Sequence, residues 1–259
     1  MRILITGAGG RVGTEVCHDL AKYYQLRLLD VRPIPLPRGE VLQGSVSDWE
    51  TVKHAVAGME AVVHLAIHNP GEQRCQAYHE YIQTDVDVGV KGTDMLLYAA
   101  KKAGVRRFVY TSSLNVYSAC YPKKGDFLKD SDETLSAEHY GTIKWLAEEL
   151  CRHYALRQGL STIVLRFNSV TFPKLWASQG RDLEHPDYAC TRVHIDDVVR
   201  AVHLAIEKDN IQWGRCLISG ANPEKRYDTS TAEKLLGFRA RYGFAAGKMY
   251  RDGILIDNG

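Results

Sequence analysis

The sequence has no block of like charges, no low-complexity segment and no long apolar run. Its 33 lysines and arginines nearly balance its 31 aspartates and glutamates, which leaves a formal charge of +2 over 259 residues. A nucleic-acid or acidic-membrane surface needs concentrated positive charge, so this balance argues against both. No apolar stretch approaches the roughly 20 residues of a membrane-spanning helix. We therefore expect no nucleic acid and no membrane as partners, and a small neutral or anionic ligand stays open.

Paired cysteines are also missing. No secretory signal precedes the first apolar strand. Scattered thiols without such a signal are typical of reduced cytosolic proteins, so we expect a cytoplasmic location. The six cysteines form no CxxC pair: Cys17, Cys75, Cys120, Cys151, Cys190 and Cys216.

The chain instead alternates short apolar runs with segments of helical spacing. RILITG is followed by RVGTEVCHDLAKYY, in which Val12, Val16 and Leu20 fall on one helical face, and LRLLD completes a βαβ unit. Strands in EAVVHLA, RFVYTSS and LSTIVLRFNSV continue the alternation, which predicts an α/β fold with a doubly wound parallel sheet. One domain or two small ones are compatible with this length, and we favour one. Residues 1–165 would mainly bind a dinucleotide, and residues 166–259 would mainly form a small substrate-side region.

Three long connections interrupt this alternation. They are residues 67–83, residues 114–137 and the polar stretch FPKLWASQGRDLEHPDYACTR. Connections after parallel strands lie at the carboxyl edge of a sheet, where ligands bind. We therefore expect these three connections to form the walls of a substrate pocket.

A glycine-rich turn lies between the first strand and the first helix. Residues 6–13 read TGAGGRVG. Glycines let a turn pass close to a pyrophosphate, and the free N–H groups at the start of a helix can bind it. Asp30 ends the second strand, where its carboxylate can accept hydrogen bonds from both hydroxyls of an adenosine ribose. Together these features predict dinucleotide binding, with NAD favoured over NADP because Asp30 would repel a 2′-phosphate. Arg32 would instead favour NADP, although we expect it to be a solvated loop residue.

Tyr140 and Lys144 lie one turn apart on the predicted helix EHYGTIKWLAEEL. A nearby ammonium favours the phenolate, so this spacing can lower the tyrosine pKa and allow proton exchange near neutral pH. Such pairs also occur by chance as packing contacts. The strand FVYTSS leads to the same edge, where Ser113 can hydrogen-bond the reacting oxygen. Ser112 and Thr111 are alternatives for this role, and a bond at the strand end is the ordinary role of all three.

In these residues the chain resembles the short-chain dehydrogenase/reductase superfamily, specifically its extended branch of NAD-dependent epimerases, dehydratases and sugar dehydrogenases. The resemblance rests on TGAGGRVG, Asp30, GSVSD, VVHLA, VKGT, VYTSSLNVY, YGTIK, LRFNSV and VHIDDVVRAV, which together cover nearly the whole chain. It implies a Rossmann fold, NAD as cofactor, and a homodimer built from two helices of each subunit. It implies Ser113, Tyr140 and Lys144 as the catalytic set. The resemblance also implies these cofactor-binding residues: Gly7, Gly10, Arg11, Val12, Gly13, Asp30, Ser45, Val46, Leu65, Ala66, Tyr140 and Lys144.

Two positions depart from the family pattern. Ser45 stands where an aspartate commonly meets the adenine amino group, and Gly89 stands where an asparagine is usual before VKGT. Adenine recognition is therefore expected to use the backbone of Val46. Asp48 falls where a helix begins, and we interpret it as an N-cap and not as a ligand.

Two groups of histidines and acids are interpreted as structural. His64 and His68 are four residues apart, but they lie on a strand and in the loop after it. One packed and one solvated histidine are expected there, and no metal site. In VHIDDVVRAV, His194 and Asp196 are interpreted as structural, and Asp197 is expected to cap the following helix.

Two reactions share this set of residues. A dehydrogenase oxidises a sugar hydroxyl and releases NADH, whereas an epimerase or dehydratase returns the hydride to its substrate. Only residues 203–259 follow VHIDDVVRAV. This short end, which contains SGAN, and the earlier segment NSVTFPK are similar to the uronate dehydrogenases, which oxidise the anomeric hydroxyl of a hexuronate with NAD. We expect a free sugar or sugar acid as substrate, with a nucleotide-sugar epimerase or dehydratase and a non-catalytic dinucleotide-binding regulator as alternatives. Expected substrate contacts are Ser112, Ser113, Asn115, Tyr140, Ser169, Arg181 and Arg192, with Arg74 a less favoured partner for a carboxylate.

Overall fold

One parallel sheet forms the centre of the structure, a computed structural model that describes residues 1–34, 39–68, 78–123, 125–172, 190–245 and 248–256. The strands of this sheet are β1 Arg2–Thr6, β2 Gln25–Asp30, β3 Glu40–Gln43, β4 Ala61–His64, β5 Arg107–Ser113, β6 Thr162–Phe167 and β9 Trp213–Ile218. A separate pair is formed by β7 Ser169–Thr171 and β8 Arg192–His194, and a small antiparallel sheet by β10 Tyr242–Ala245, β11 Lys248–Arg251 and β12 Ile254–Ile256. The helices are α1 Arg11–Leu20, α2 Trp49–Val56, α3 Tyr78–Val86, α4 Gly92–Lys102, α5 His139–Gln158, α6 Ile195–Glu207 and α7 Ser230–Leu236.

The strand order across the large sheet is β3-β2-β1-β4-β5-β6-β9, and every neighbouring pair is parallel. The chain builds one half from β1 outward to β3, then returns to the centre and builds the other half from β4. In such sheets, ligands bind at the carboxyl edge where the order reverses, here between β1 and β4. The predicted doubly wound parallel sheet is confirmed.

Helices cover both faces of the sheet because successive strand residues point to opposite faces. In β1, Ile3 and Ile5 pack with α1 and α6, whereas Leu4 packs on the other face with α2, α4 and α5. All three side chains are fully buried. Burial of apolar surface at roughly 25 cal/mol per Å² is the main stabilising contribution to such a core.

The helix after β4 begins earlier than its sequence pattern predicts. The sequence predicts a connection over residues 67–83, but α3 begins within it at Tyr78, and one π-helical turn, Asp87–Lys91, joins α3 to α4. Gly89 lies in this turn, and a Cβ there would overlap the Ile143 side chain on α5. The departure at Gly89 therefore has a packing reason, since only glycine lets the two helices approach this closely.

The carboxyl-terminal part, predicted as a small substrate-side region, includes an antiparallel sheet of its own. The added sheet of β10, β11 and β12 is held to α6 by Asp197, which is buried and accepts the N–H groups of Arg241 at 3.0 Å and Tyr242 at 2.9 Å. The predicted capping role of Asp197 is wrong. The cap of α6 is His194, whose Nδ1 accepts the Asp196 N–H at 3.1 Å.

The described residues carry no helix long and apolar enough to cross a bilayer. Every cysteine in the described part of the chain is a free thiol, and Cys75 lies outside it. Burial raises the pKa of the Cys17 and Cys216 thiols to about 12, so neither is a ready nucleophile.

Candidate active site

The glycine turn after β1 fits closely under the start of α1. Gly7 has a φ of +71°, a left-handed conformation that favours glycine. A Cβ on Gly7 would come within 2.6 Å of the Ala66 nitrogen, and one on Gly13 would overlap the Gly7 carbonyl. Leu65 and Ala66 thus border the turn, and the first N–H groups of α1 face outward from it, as an anion site requires. The helix start consists of the predicted residues Gly10, Arg11 and Val12.

Asp30 lies beside this turn at the end of β2. Its carboxylate is buried, accepts the Gly9 N–H at 2.9 Å and pairs with the Arg32 guanidinium at 3.2 Å. A carboxylate in this place can accept hydrogen bonds from ribose hydroxyls. Arg32 is an exposed loop residue, as expected, and it also forms an ion pair with Asp30. The glycines, the helix start and the carboxylate together fit the adenosine diphosphate part of NAD.

The GSVSD segment lies next to Asp30 at the end of β3. Ser45 is half-buried and its hydroxyl shares a hydrogen bond of 2.8 Å with Ser47, while Val46 is buried. Asp48 accepts a backbone N–H of α2 at 2.8 Å, which confirms its predicted role as N-cap. Ser45 and Val46, the two predicted adenine-side residues, thus lie at the cofactor edge. The Asp48 carboxylate instead caps α2.

Ser113, Tyr140 and Lys144 are brought together at the carboxyl edge of the sheet. Ser113 ends β5, and Tyr140 lies at the start of α5, where the Ser113 hydroxyl lowers the pKa of the Tyr140 phenol. Lys144 is only 4% exposed, and its ammonium donates to the Thr111 carbonyl at 2.8 Å. The same ammonium lies 5.9 Å from the centre of the Tyr140 ring. A hydroxyl, a phenol and an ammonium in this arrangement can bind a substrate oxygen and move its proton.

Burial sets the proton affinity of these groups. Desolvation raises the pKa of Tyr140 to about 12, and the Ser113 hydroxyl opposes this rise. Desolvation also lowers the pKa of Lys144 to about 7, against the attraction of Glu148 one turn further along α5. The sequence suggested that Lys144 lowers the tyrosine pKa. In the structure the lysine bonds Thr111, and Ser113 is the neighbour that lowers the pKa of the phenol.

Ser112 is not brought to this group, although it was a predicted substrate contact. Its buried hydroxyl donates to the Glu148 carboxylate at 2.5 Å, and that carboxylate also accepts from Arg166 at 2.9 Å. Successive strand residues point to opposite faces, so Ser112 and Ser113 cannot share one site. The alternative, Thr111, is also engaged, because its hydroxyl donates to a carbonyl of β4 at 3.0 Å. No pattern in the sequence identifies the buried pair of Glu148 and Arg166, although Glu148 follows Lys144 by one helical turn.

Asn115 lies beside the candidate catalytic group. Its N–H donates to the Ser113 hydroxyl at 3.1 Å, and its side-chain oxygen accepts the Tyr121 hydroxyl at 2.9 Å. The start of α5 packs against it, since a Cβ on Gly141 would overlap the Asn115 carbonyl. Asn115 is thus well placed to contact a substrate held by Ser113.

Ser169 and Arg192 are neighbours on the same edge of the sheet. They lie opposite each other in the β7–β8 pair. Phe167 lies opposite Ser113 in the large sheet, and Ser169 comes two residues after Phe167. The Nε of Arg192 is buried and has no hydrogen-bond partner among the described residues. An unpaired buried donor of this kind can bond a ligand. Two other predicted candidates, Arg74 and Arg181, lie outside the described residues.

The two predicted structural histidines differ in their surroundings. His64 is packed as expected between two threonine hydroxyls at 2.7 and 3.0 Å, and burial lowers its pKa to about 3. His68 is half-buried and is also paired, because its Nδ1 lies 2.7 Å from the buried Asp85 carboxylate. Asp85 also lies 3.5 Å from His139, and neither residue belongs to any motif in the sequence. The described part of the chain contains no cluster of metal ligands.

Comparison with known proteins identifies the family. The model of the NAD dependent epimerase/dehydratase family matches residues 3–182. A 3-beta-hydroxysteroid dehydrogenase from Mycolicibacterium neoaurum is 32% identical over 174 residues, which cover 64% of this chain and 46% of the relative. A uronate dehydrogenase from Pseudomonas syringae pv. tomato is 25% identical over 243 residues, which cover 90% of this chain and 80% of the relative. The chain therefore spans less than half of the steroid enzyme and most of the uronate enzyme.

Solved structures have the same architecture. A uronate dehydrogenase from Agrobacterium tumefaciens, solved as a tyrosine variant complexed with NAD, superposes with a TM-score of 0.76 at 25% identity. The superposition covers 92% of this chain and 84% of that one. By the family match, the fold and the cofactor edge, this chain belongs to the NAD dependent epimerase/dehydratase family of extended short-chain dehydrogenases/reductases, whose cofactor is NAD.

Proposed function

We propose that the protein oxidises a hydroxyl of a free sugar or sugar acid with NAD and releases NADH. The observation that carries this proposal is the grouping of Ser113, Tyr140 and the buried Lys144, whose ammonium lies 5.9 Å from the centre of the Tyr140 ring. These residues lie at the sheet edge where the glycine turn and Asp30 fit a dinucleotide. That combination suits proton transfer at a substrate oxygen while the carbon that bears this oxygen exchanges a hydride.

In the oxidation, Tyr140 accepts the proton of the substrate hydroxyl while Ser113 donates a hydrogen bond to the same oxygen. NAD supplies the hydride acceptor. Lys144, whose pKa burial lowers to about 7, can pass a proton on in the neutral range. Burial keeps Tyr140 protonated at neutral pH, and a protonated phenol cannot accept a proton. Oxidation is therefore expected to be faster at alkaline pH, and the reverse reduction to be faster near neutrality.

Similarity to the uronate dehydrogenases supports a sugar acid as substrate, since the Pseudomonas syringae enzyme aligns with 90% of this chain. Arg192, with its buried Nε on the substrate side, suits a carboxylate. Asn115 and Ser169 suit sugar hydroxyls. Arg181 stays a candidate from the sequence.

A substrate screen tests this proposal. With NAD and free sugars, sugar acids, nucleotide sugars and hydroxysteroids, net NADH absorbance is expected with a sugar or sugar acid. Arg192→Ala is then expected to raise KM for the acid roughly tenfold or more relative to its neutral sugar analogue, because an ion pair at a partly buried site is worth about 1.4 kcal/mol or more. Arg157→Ala, at the exposed far end of α5, is the matched control and should leave both constants unchanged.

Other outcomes of the screen would replace the proposal. A nucleotide sugar converted without net NADH would make the protein an epimerase or dehydratase, which the family description supports. NADH from a hydroxysteroid would favour the activity of the 32% identical relative. Tight NAD binding without turnover of any compound would leave a dinucleotide-binding regulator.

Asp30 leads to a prediction about cofactor choice that needs no substrate. We expect NAD to bind more tightly than NADP, because the buried carboxylate would face the 2′-phosphate. Asp30→Ser should shift the affinity ratio toward NADP by roughly tenfold or more, since it removes the repulsion and releases Arg32 to pair with the phosphate. Calorimetric titration with both nucleotides measures the ratio. Adding Arg32→Ala to Asp30→Ser should reverse part of the gain, and a wild-type preference for NADP would contradict the role of Asp30.

A homodimer remains part of the proposal. The family resemblance predicts one built from α4 and α5, and exposed aromatic and aliphatic side chains on these helices support it. They are Tyr98, Trp145, Leu146 and Leu156. The cytoplasmic location predicted from the cysteines likewise stays a prediction.

A further inference from the structure

One buried carboxylate joins two histidines beside the candidate catalytic tyrosine. Asp85 on α3 places one oxygen 2.7 Å from His68 Nδ1 and the other 3.5 Å from His139 Nε2. His68 follows β4, and His139 is the first residue of α5, so the carboxylate connects three segments around the site. We call these three residues the Asp85 cluster.

The Asp85 cluster borders Tyr140 both along the chain and in space. His139 directly precedes Tyr140, and the ring of Tyr81 lies between the histidines, with its centre 5.6 Å from His68 and 6.0 Å from His139. The charge of Asp85 acts on the Tyr140 phenol and raises its pKa, in the same direction as burial. A negative charge near a phenol always favours its protonated form.

We propose that Asp85 is a positioning residue for Tyr140, because it lies within ion-pair range of His139, the residue before Tyr140, and holds a negative charge near the first turn of α5. Tyr140 is thereby kept protonated and is set to donate its proton to a carbonyl oxygen. At neutral pH the site then favours reduction of a carbonyl, and oxidation takes over as the pH rises. The catalytic meaning of this inference rests on the proposed function, whereas the effect of Asp85 on the phenol does not.

Other polar and charged groups also face the start of α5. Ser113 on β5 lowers the pKa of the phenol, and Lys144 follows one turn later on α5 itself. Tyr81 on α3 and Tyr121 after β5 each raise the pKa of the phenol less than burial does. On the π turn, Asp87 and Lys91 are exposed and pair with each other at 3.5 Å. Solvent therefore screens the charge of Asp87 more strongly than that of the buried Asp85.

The test measures the ionisation of the phenol directly. Full-length protein with 3-fluorotyrosine in place of Tyr140 is titrated by ¹⁹F NMR, which reports on that ring without any turnover. Asp85→Asn is expected to lower the midpoint by roughly 0.5–1.5 pH units, the size expected for one charge at a few ångströms near a partly buried group. Once a substrate is known, the pH of half-maximal oxidation should fall by a similar amount.

Asp87→Asn is the matched control, because it removes the same charge two residues away at an exposed position. Its midpoint should stay at the wild-type value. If circular dichroism shows that Asp85→Asn does not fold, Asp85→Ser provides a second neutral variant. An unchanged midpoint in a folded neutral variant, or equal shifts at positions 85 and 87, would overturn the inference. A shifted midpoint in a protein that turns over no sugar would retain the role of Asp85 and reject the proposed function instead.

Discussion

Tyr140→Phe is expected to bind NAD with wild-type affinity and to lose about 10²–10⁴-fold in kcat, the usual contribution of one proton-transfer group. The substitution removes only the phenol oxygen and keeps the ring at the start of α5. The fold should therefore persist while the proton acceptor is lost. Stopped-flow or steady-state NADH formation measures kcat, and NAD titration measures cofactor affinity.

Tyr154→Phe is the matched control for this prediction. Tyr154 lies further along α5, and its hydroxyl donates to Asp94 on α4 at 3.0 Å, away from the candidate site. Its loss should leave kcat within about twofold, because surface hydrogen bonds contribute little beyond local stability. A near-normal kcat in Tyr140→Phe would remove this tyrosine from the chemistry, and equal losses in both variants would point to a packing effect.

Arg166→Met is expected to lower the free energy of unfolding by about 3–5 kcal/mol, the usual cost of leaving a buried charge unpaired. Arg166 and Glu148 are both fully inaccessible, and the guanidinium bonds both carboxylate oxygens, at 2.9 Å and 2.5 Å. Without Arg166, Glu148 keeps a hydrogen bond from Ser112 and a distant guanidinium, that of Arg215 at 3.9 Å. Urea unfolding followed by circular dichroism measures the loss.

The double variant Arg166→Met with Glu148→Leu separates charge from packing. An apolar pair of similar volume often stabilises a core as well as a buried ion pair does, so the double variant should recover most of the loss. A single variant within about 1 kcal/mol of wild type would mean that Arg215 replaces the lost partner. Because Glu148 also holds Ser112, next to Ser113, the single variant should lose activity together with stability.

Local patterns in the sequence predict the fold and the parts of the site that lie within one element. The alternation of apolar strands and amphipathic helices predicts the doubly wound sheet, because periodicity records which face of an element is buried. TGAGGRVG and Asp30 mark the cofactor edge by their positions at the ends of β1 and β2. The spacing of Tyr140 and Lys144 is likewise a contact over one helical turn, so it can be identified without a structure.

Only the tertiary structure decides which of these side chains meet. It separates Ser112 from Ser113 through the pleat of β5, and it places Arg166 of β6 against Glu148 of α5. The contact of His68 with Asp85 spans 17 residues of sequence, and a segment outside the described residues lies between them. Periodicity records contacts within about four residues, whereas pairings between elements depend on how those elements pack. The sequence therefore determined the scaffold and the catalytic candidates, and packing decided their electrostatic surroundings, because buried charges take their partners from whichever elements close over them.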